Sequence, residues 1–445
     1  MAAQHPRPAL GGLPVAVVGP RQRRRHDHKV VHAVTLASAS LEDRPDADAR
    51  AARQGDPAAL AAALVASRDD TLATFAACEQ ALGPALAVPC IPTLNPPRWE
   101  LGHIGWFQEF WIARNPQRGL GVLADPDAPR PPSIRADGDA LYNSSRVAHG
   151  TRWQLPLPDA DATRADLARQ LDATLHLLAG SGGDDASLYF FRLALFHEDM
   201  HHEAALYMAR ALDIDRPDPR WQPRRCPSPG GDLVVGPVEH RLGSAGPGFA
   251  FDNECAAHAV TVDAFTVARR VVSWREFLPF VEAGGYRDPR HWTEAGQAWL
   301  AATGAAAPRY LRHDGGAWLE RRHGDWQALD LGLAAAHLTA HEAQAWCRWA
   351  GRRLPTEAEW ECAALAHPQD FAWGQVWEWT ASVFAPYPGF EPHPYRDYSA
   401  PWFGSRTVLR GASHLTQPRM RHRAYRNYFT AERNDIAAGF RSCPR

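Results

Sequence analysis

A loss of periodicity limits this fold more than any single residue does. From Asp48 to about Asp215 apolar residues recur every three or four positions, in "DPAALAAALVASRDDTLATFAACEQAL", "WELGHIGWFQEFWIARN", "RADLARQLDATLHLLAG" and "ASLYFFRLALFHEDMHHEAALYMARAL". That spacing predicts amphipathic helices, and four of them make a bundle. Asp69 or Ser67, and Ser187, sit at expected N-caps, and Gly180 at an expected C-cap. At "DIDRPDPRWQPRRCPSPGGD" proline and glycine concentrate and the period stops, which marks a linker. Beyond it, "DLVVG", "AHAVTVDAFTVARRVV" and "RTVLRGAS" read as strands, and "SWREFLPFVEAGG" and "TAHEAQAWCRWAG" as helices, in an irregular α+β domain rich in loops. The expected organisation is a disordered leader over 1–47, a helical bundle over 48–218 and an α+β domain over 219–445.

Composition narrows the function. At 445 residues the chain exceeds what one core serves, and a net charge of -2 offers no field to draw nucleic acid or a membrane surface, so small-molecule substrates are expected. The 7 cysteines are scattered, with no CxxC pair, which argues against a disulfide framework and a thiolate zinc site and fits a reducing cytoplasm. The apolar run "LGGLPVAVVG" is too short to span a membrane, and the basic "RQRRRHDHK" follows it, the reverse of a secretory signal. The 17 tryptophans fit aromatic-lined pockets or a Trp-rich core equally well.

The helix carrying "HEDMHHE" holds the chemistry. Residues advance about 100° each on a helix, so His197 and His201 fall about 40° apart and their imidazoles can reach one ion. Glu203 lies about 200° on from His201 and is a poor ligand, better suited to support or packing, and His202 points elsewhere. A third ligand must come from another helix, and His103, alone in the aromatic "WELGHIGWFQEFW", is the outstanding candidate. Such pairs and lone histidines also occur as hydrogen-bonded core residues. Three neutral imidazoles with open positions suit zinc or iron(II), and spacing does not choose between them.

From about Asp48 onward the chain resembles the ergothioneine sulfoxide synthase family. "WELGHIGWFQEFW" followed by "HEDMHHE" is similar to its DinB-like four-helix iron-binding bundle. "FDNECAAHAVTV", "SWREFLPFVEAGGY", "AGRRLPTEAEWE", "VWEWTAS", "YPGF", "VLRGAS" and "YRNYFTAERNDIAAGFR" are similar, in order, to its formylglycine-generating-enzyme-like domain with a C-type-lectin-like core. The resemblance implies iron(II) held by His103, His197 and His201, and an O2-dependent bond between a chalcogen and the imidazole C2 of hercynine, the trimethylated betaine of histidine. It implies Tyr395 as the catalytic tyrosine, a proton donor, with Tyr398 its neighbour. Asn427 and Tyr428 fall where the family contacts hercynine, and aromatic rings suit its quaternary ammonium. Trp377 and Trp379 are expected in the core. Formylglycine generation is set aside, since it needs a C-terminal cysteine pair and Cys443 stands alone after Cys362.

Two departures bear on the chalcogen donor. Phe429 stands where the family's γ-glutamylcysteine users carry an aspartate that pairs the donor's amino group, while Arg433 and Arg114, at positions implied to hold donor carboxylates, remain. Only "CAALAHPQDFAWGQ" separates "LPTEAEWE" from "VWEWT", a segment the family typically makes longer. Both are similar to the selenoneine synthase branch, which implies a selenosugar donor and C–Se bond formation. The alternatives are a sulfoxide synthase using γ-glutamylcysteine or cysteine, and a non-catalytic module binding zinc in the bundle and sugar in the lectin-like half.

Overall fold

The structure is a computed structural model that describes residues 47–215, 218–228 and 230–445. The expected leader, but for Ala47, lies outside the described residues. The N-terminal half comprises α1 (Ala47–Gln54), α2 (Pro57–Leu82), α3 (Pro97–Gln108), the short α4 (Gly138–Tyr142), α5 (Ala160–Ala179) and α6 (Asp185–Ala211). No helix among the described residues is long and apolar enough to cross a membrane.

The helix starts differ from the expected caps. Asp56 caps α2, accepting from the Ala59 amide ahead of Pro57 at the first helical position, so the helix begins well before Ser67 and Asp69. Ser67 is buried mid-helix and donates to Asp199 Oδ1 at 2.7 Å, a use of its hydroxyl that competes with capping. α6 starts at Asp184, which accepts from the Ser187 amide at 3.0 Å, so Ser187 is the capped residue and not the cap. Gly180 closes α5 as expected. α3 runs into a π-helical turn, Glu109–Ala113, that delivers Arg114 at its end.

The second half is built on small sheets. Strands β1 (Asp232–Val235) and β4 (Phe265–Ala268) pair antiparallel, as do β2 (Val238–Leu242) and β3 (His258–Val262). Helices α7 (Trp274–Glu282) and α8 (Glu294–Thr303) precede a meander of β5 (Leu311–Asp314), β6 (Ala317–Arg322) and β7 (Asp325–Ala328). Then come α9 (Ala340–Trp349), β8 (Arg352–Arg353) and α10 (Glu357–Ala366). Ser273, Thr339 and Thr356 each close a capping box with a glutamate three residues on, which starts α7, α9 and α10. The central sheet joins β9 (Trp377–Val383), β10 (Thr407–Gly411), β11 (Asn427–Phe429) and β12 (Ala438–Gly439) in the order β11-β10-β9-β12, with β12 parallel to β9; β13 (Cys443–Pro444) pairs with β8. α8, α10 and the meander lie outside the expected elements.

The two halves share one apolar core. Phe196 of α6 packs 5.1 Å from Phe249 and 6.0 Å from Phe251, ring centre to ring centre. Trp377 and Trp379, 2% and 0% exposed, lie in this core, as expected. Trp377 Nε1 donates to Glu203 Oε1 of α6 at 2.8 Å, which brings β9 against the histidine helix.

Candidate metal centre and its cavities

α3 and α6 bring His103, His197 and His201 together, with one ring nitrogen of each within 4.8 Å of the others. Two glycines flank His103 and permit the approach of its neighbours: a Cβ on Gly102 would sit 2.3 Å from the Tyr142 ring, and one on Gly105 2.1 Å from Gln170 Oε1. Held this closely, the Tyr142 carbonyl lies 2.8 Å from His103 Nδ1, and the neutral ring donates to it. His201 Nδ1 lies 2.5 Å from Glu100 Oε2. His103 and His201 therefore each commit Nδ1 to an orienting acceptor and leave Nε2 for an ion.

His197 is 2% exposed, its ring is stacked on Phe107 at 3.5 Å, and neither of its nitrogens has a hydrogen-bond partner. An unpartnered buried imidazole is costly, and coordination satisfies it. Burial, with His201 adding to it, pushes His103 down to about 3, and burial and its two histidine neighbours hold His197 well below the ordinary imidazole range. Both rings are thus neutral and have the lone pairs a metal requires.

His202 lies near Thr74 and Gln417, away from the triad, and Glu203 accepts from Trp377 and, at 2.7 Å, from Ser413. Neither belongs to the close group of His103, His197 and His201. Glu100, Tyr142 and Phe107 support the triad without having been foreseen, although Glu100 sits three residues before His103 on the same helix face.

A cavity of about 390 Å³ lies elsewhere, between α1 and the 417–421 segment; His197 and His201 face a different one, of about 260 Å³, whose walls also include Tyr395, Tyr398, Asn427 and Phe429. Tyr395 lies 6.2 Å from His197 ring to ring, and burial raises its phenol above the ordinary range, so it carries its proton. Tyr398 stacks on Phe251 at 4.4 Å, and its hydroxyl lies 3.1 Å from that of Tyr425.

Not every expected contact reaches this chamber. Side chains alternate along β11, so Asn427 and Phe429 face it while Tyr428 points the other way, stacked on Phe384 at 3.9 Å with its hydroxyl donating to the Tyr398 carbonyl. Tyr428 is not among the residues that line this chamber. Arg433 lies 4.8 Å over the Phe429 ring and is engaged bidentately by Asp435 at 2.6 and 2.7 Å. Arg114 is on a different cavity, of about 550 Å³, held by Asp139 at 2.6 and 2.8 Å and by the Pro131 carbonyl at 2.7 Å. The two arginines are thus not convergent, and Tyr395 borders both cavities.

The sulfatase-modifying factor enzyme 1-like domain matches residues 225–375 and 369–444. The formylglycine-generating enzyme of Streptomyces coelicolor is 25% identical over 45% of this chain and 82% of its own length. Hercynine oxygenase of Mycolicibacterium smegmatis is 30% identical over 409 residues, covering 79% of this chain and 91% of the relative, and that of Mycobacterium tuberculosis is 30% identical over 79% and 91%. With similarity of that extent running through both the helical half and the sheet domain, the chain is an enzyme that belongs to the hercynine oxygenase family.

Proposed function

We propose that this chain is a non-haem iron(II), O2-dependent enzyme that joins selenium from a selenosugar to C2 of the hercynine imidazole. The modules are a DinB-type bundle over 48–218 and a lectin-like domain over 219–445, working in the reducing cytoplasm, in keeping with seven cysteines of which none forms a disulfide. The observation that carries the donor assignment is the chamber end at Phe429. A carboxylate there would pair a donor's ammonium, but the wall is a phenyl ring, Arg433 is already neutralised by Asp435, and Glu203 is engaged by Trp377 and Ser413. A neutral sugar needs no such partner.

His103, His197 and His201 would hold the iron, which supplies coordination for the substrates and the one-electron chemistry that dioxygen needs. Glu100 and the Tyr142 carbonyl fix two of the rings and so the face they present. Asn427 offers an amide to the hercynine carboxylate, and the rings of Trp377, Tyr398 and Tyr425 offer faces to its trimethylammonium. Tyr395 holds a proton at its phenol oxygen beside the chamber, ready to be given up as negative charge develops.

The test is anaerobic loading with iron(II) and hercynine plus either a 1-selenosugar or γ-glutamylcysteine, followed by oxygen and mass analysis. A hercynyl selenosugar is the expected product. The hercynine oxygenase relatives favour a second reading, a sulfoxide synthase, and turnover of γ-glutamylcysteine alone would establish it. Stoichiometric zinc with no oxygen uptake would leave a binding module.

A further inference from the structure

We infer that the cavity of about 390 Å³ between α1, α2 and the 417–421 segment binds a small organic phosphate, at a site separate from the histidine chamber. Its volume is that of a small-molecule site. Ala51 of α1 and Ala59, Ala63 and Ala66 of α2 give it an apolar floor, to which Trp221 adds a ring. Arg220, Arg224, Arg419 and Arg421 stand around that floor.

Two of the four arginines are already neutralised. Arg419 donates to both oxygens of Asp199 at 2.7 Å, and Arg220 donates to Asp70 at 2.7 Å and to Asp218 at 2.6 Å. The other two have charge to spare. Arg421 donates through Nε and Nη2 to the Thr416 carbonyl, at 3.2 and 3.0 Å, a neutral acceptor that leaves its charge unmet. Arg224 is exposed, and among the described residues neither it nor Arg421 forms an ion pair. Burial holds Arg421 below the ordinary guanidinium range and the neighbouring charge of Arg224 adds to this, with Glu203 and Asp48 opposing it only in part. Two guanidiniums that repel each other at the edge of a cavity match the charge of a phosphate, whose oxygens their forked donors meet in pairs. Asp70 does not compete, since it accepts from Arg220 and, at 2.8 Å, from Gln417. Asp48, the other carboxylate on the wall, is exposed and offers an acceptor to hydroxyl groups on the ligand's carbon part.

The site stands clear of the reaction. Gln417, Arg419 and Arg421 line the arginine cavity, whereas Met420, between the two arginines, lines the histidine chamber. One short segment is thus a wall of each, no lining residue is common to both, and both can be occupied at once. Asp199, the partner of Arg419, lies on α6 between His197 and His201, so the cavity backs onto the helix that carries two of the three histidines.

The probe is glucose 6-phosphate, with glucose as the comparison, titrated anaerobically by calorimetry into the iron-loaded enzyme saturated with hercynine, which closes the histidine chamber to it. Two variants are compared with the wild type, both at exposed positions: Arg224→Ala removes an unpaired guanidinium, and Ala66→Trp fills the floor. The expected result is one saturable site for glucose 6-phosphate and none for glucose, with affinity lower by roughly tenfold or more in each variant and hercynine binding unchanged. No saturable binding in the wild type, equal binding of glucose, or an affinity unaltered in either variant overturns the inference. No step of the measurement is turnover, so the result stands whichever chalcogen donor the enzyme uses.

Discussion

Glu100 Oε2 lies 2.5 Å from His201 Nδ1, and Asn95 Nδ2 donates to the other Glu100 oxygen at 2.5 Å. Burial disfavours that carboxylate's charge, but His201, His103 and Arg152 more than offset it, so Glu100 is held below the usual carboxylate range. An ionised acceptor fixes the His201 tautomer and makes the ring a better donor to metal. Glu100→Gln should therefore weaken iron(II) affinity about 10- to 100-fold. Competition against a chelator measures this, and unchanged affinity would show that the carboxylate plays no part in the site.

Tyr395 is a buried, protonated phenol beside the histidine chamber. Removing its hydroxyl leaves the ring that packs on Phe107 and Trp111 in place. Tyr395→Phe should lower kcat by about 10²- to 10⁴-fold while hercynine binding stays within a factor of two or so, the signature of a lost proton donor. A hercynine dissociation constant that rose in step with the loss of kcat would instead make the tyrosine a binding residue.

The helical period puts His197 and His201 on one face, because local geometry governs such spacing, and His103, alone in another aromatic helix, stands out as the third candidate. What needed tertiary structure was less accessible. A strand of only three residues, Asn427–Phe429, has too little alternation to reveal from the sequence that Tyr428 faces away from its two neighbours. Arg114 and Arg433 look like partners in a donor site, yet one ends a π turn after α3 and lines a cavity of its own, while the other follows β11 and lies over the Phe429 ring. Ser67 has the chemistry of a cap, but its partner Asp199 lies 132 positions away and drew it into a helix interior.

Phe429 lines the histidine chamber and carries no charge to meet an ammonium. Phe429→Asp supplies that charge beside Arg433, whose own charge Asp435 already meets. The variant should gain turnover with γ-glutamylcysteine, by roughly tenfold or more in kcat/KM for a new charge-assisted contact, and lose none of its hercynine affinity. No gain with that donor would show that Phe429 does not set donor choice.

Arg53 of α1 donates to both oxygens of Glu254, at 2.6 and 3.0 Å, and to the Phe249 carbonyl at 3.1 Å; the two residues are 4% and 0% exposed. This pair ties the helical half to the second half, and losing one partner strands a buried charge. Arg53→Ala should cost about 3–5 kcal/mol, and the double variant with Glu254→Gln distinctly less than the two single losses summed. Denaturant midpoints test it; strictly additive losses would show that the two side chains do not act as a pair.

Glu342 closes the capping box of α9, accepting from Thr339 N at 2.7 Å and Thr339 Oγ1 at 2.9 Å, and its other oxygen accepts from the Tyr286 hydroxyl. Burial raises this carboxyl from 4.5 to about 7, the hydrogen bonds from Tyr286 and Thr339 opposing it only in part. Below pH 4.5 the group is protonated in both states and has no effect on stability. Between there and pH 7 the unfolded chain gives up its proton while the folded one keeps it, so stability falls as pH rises, and above 7 the penalty is constant at about 3 kcal/mol. Glu342→Gln keeps an acceptor for the cap and removes the titration. The variant should gain thermal stability over the wild type at pH 8 and lose most of that advantage at pH 5, and an advantage that is the same at both pH values would show that Glu342 is not the group responsible.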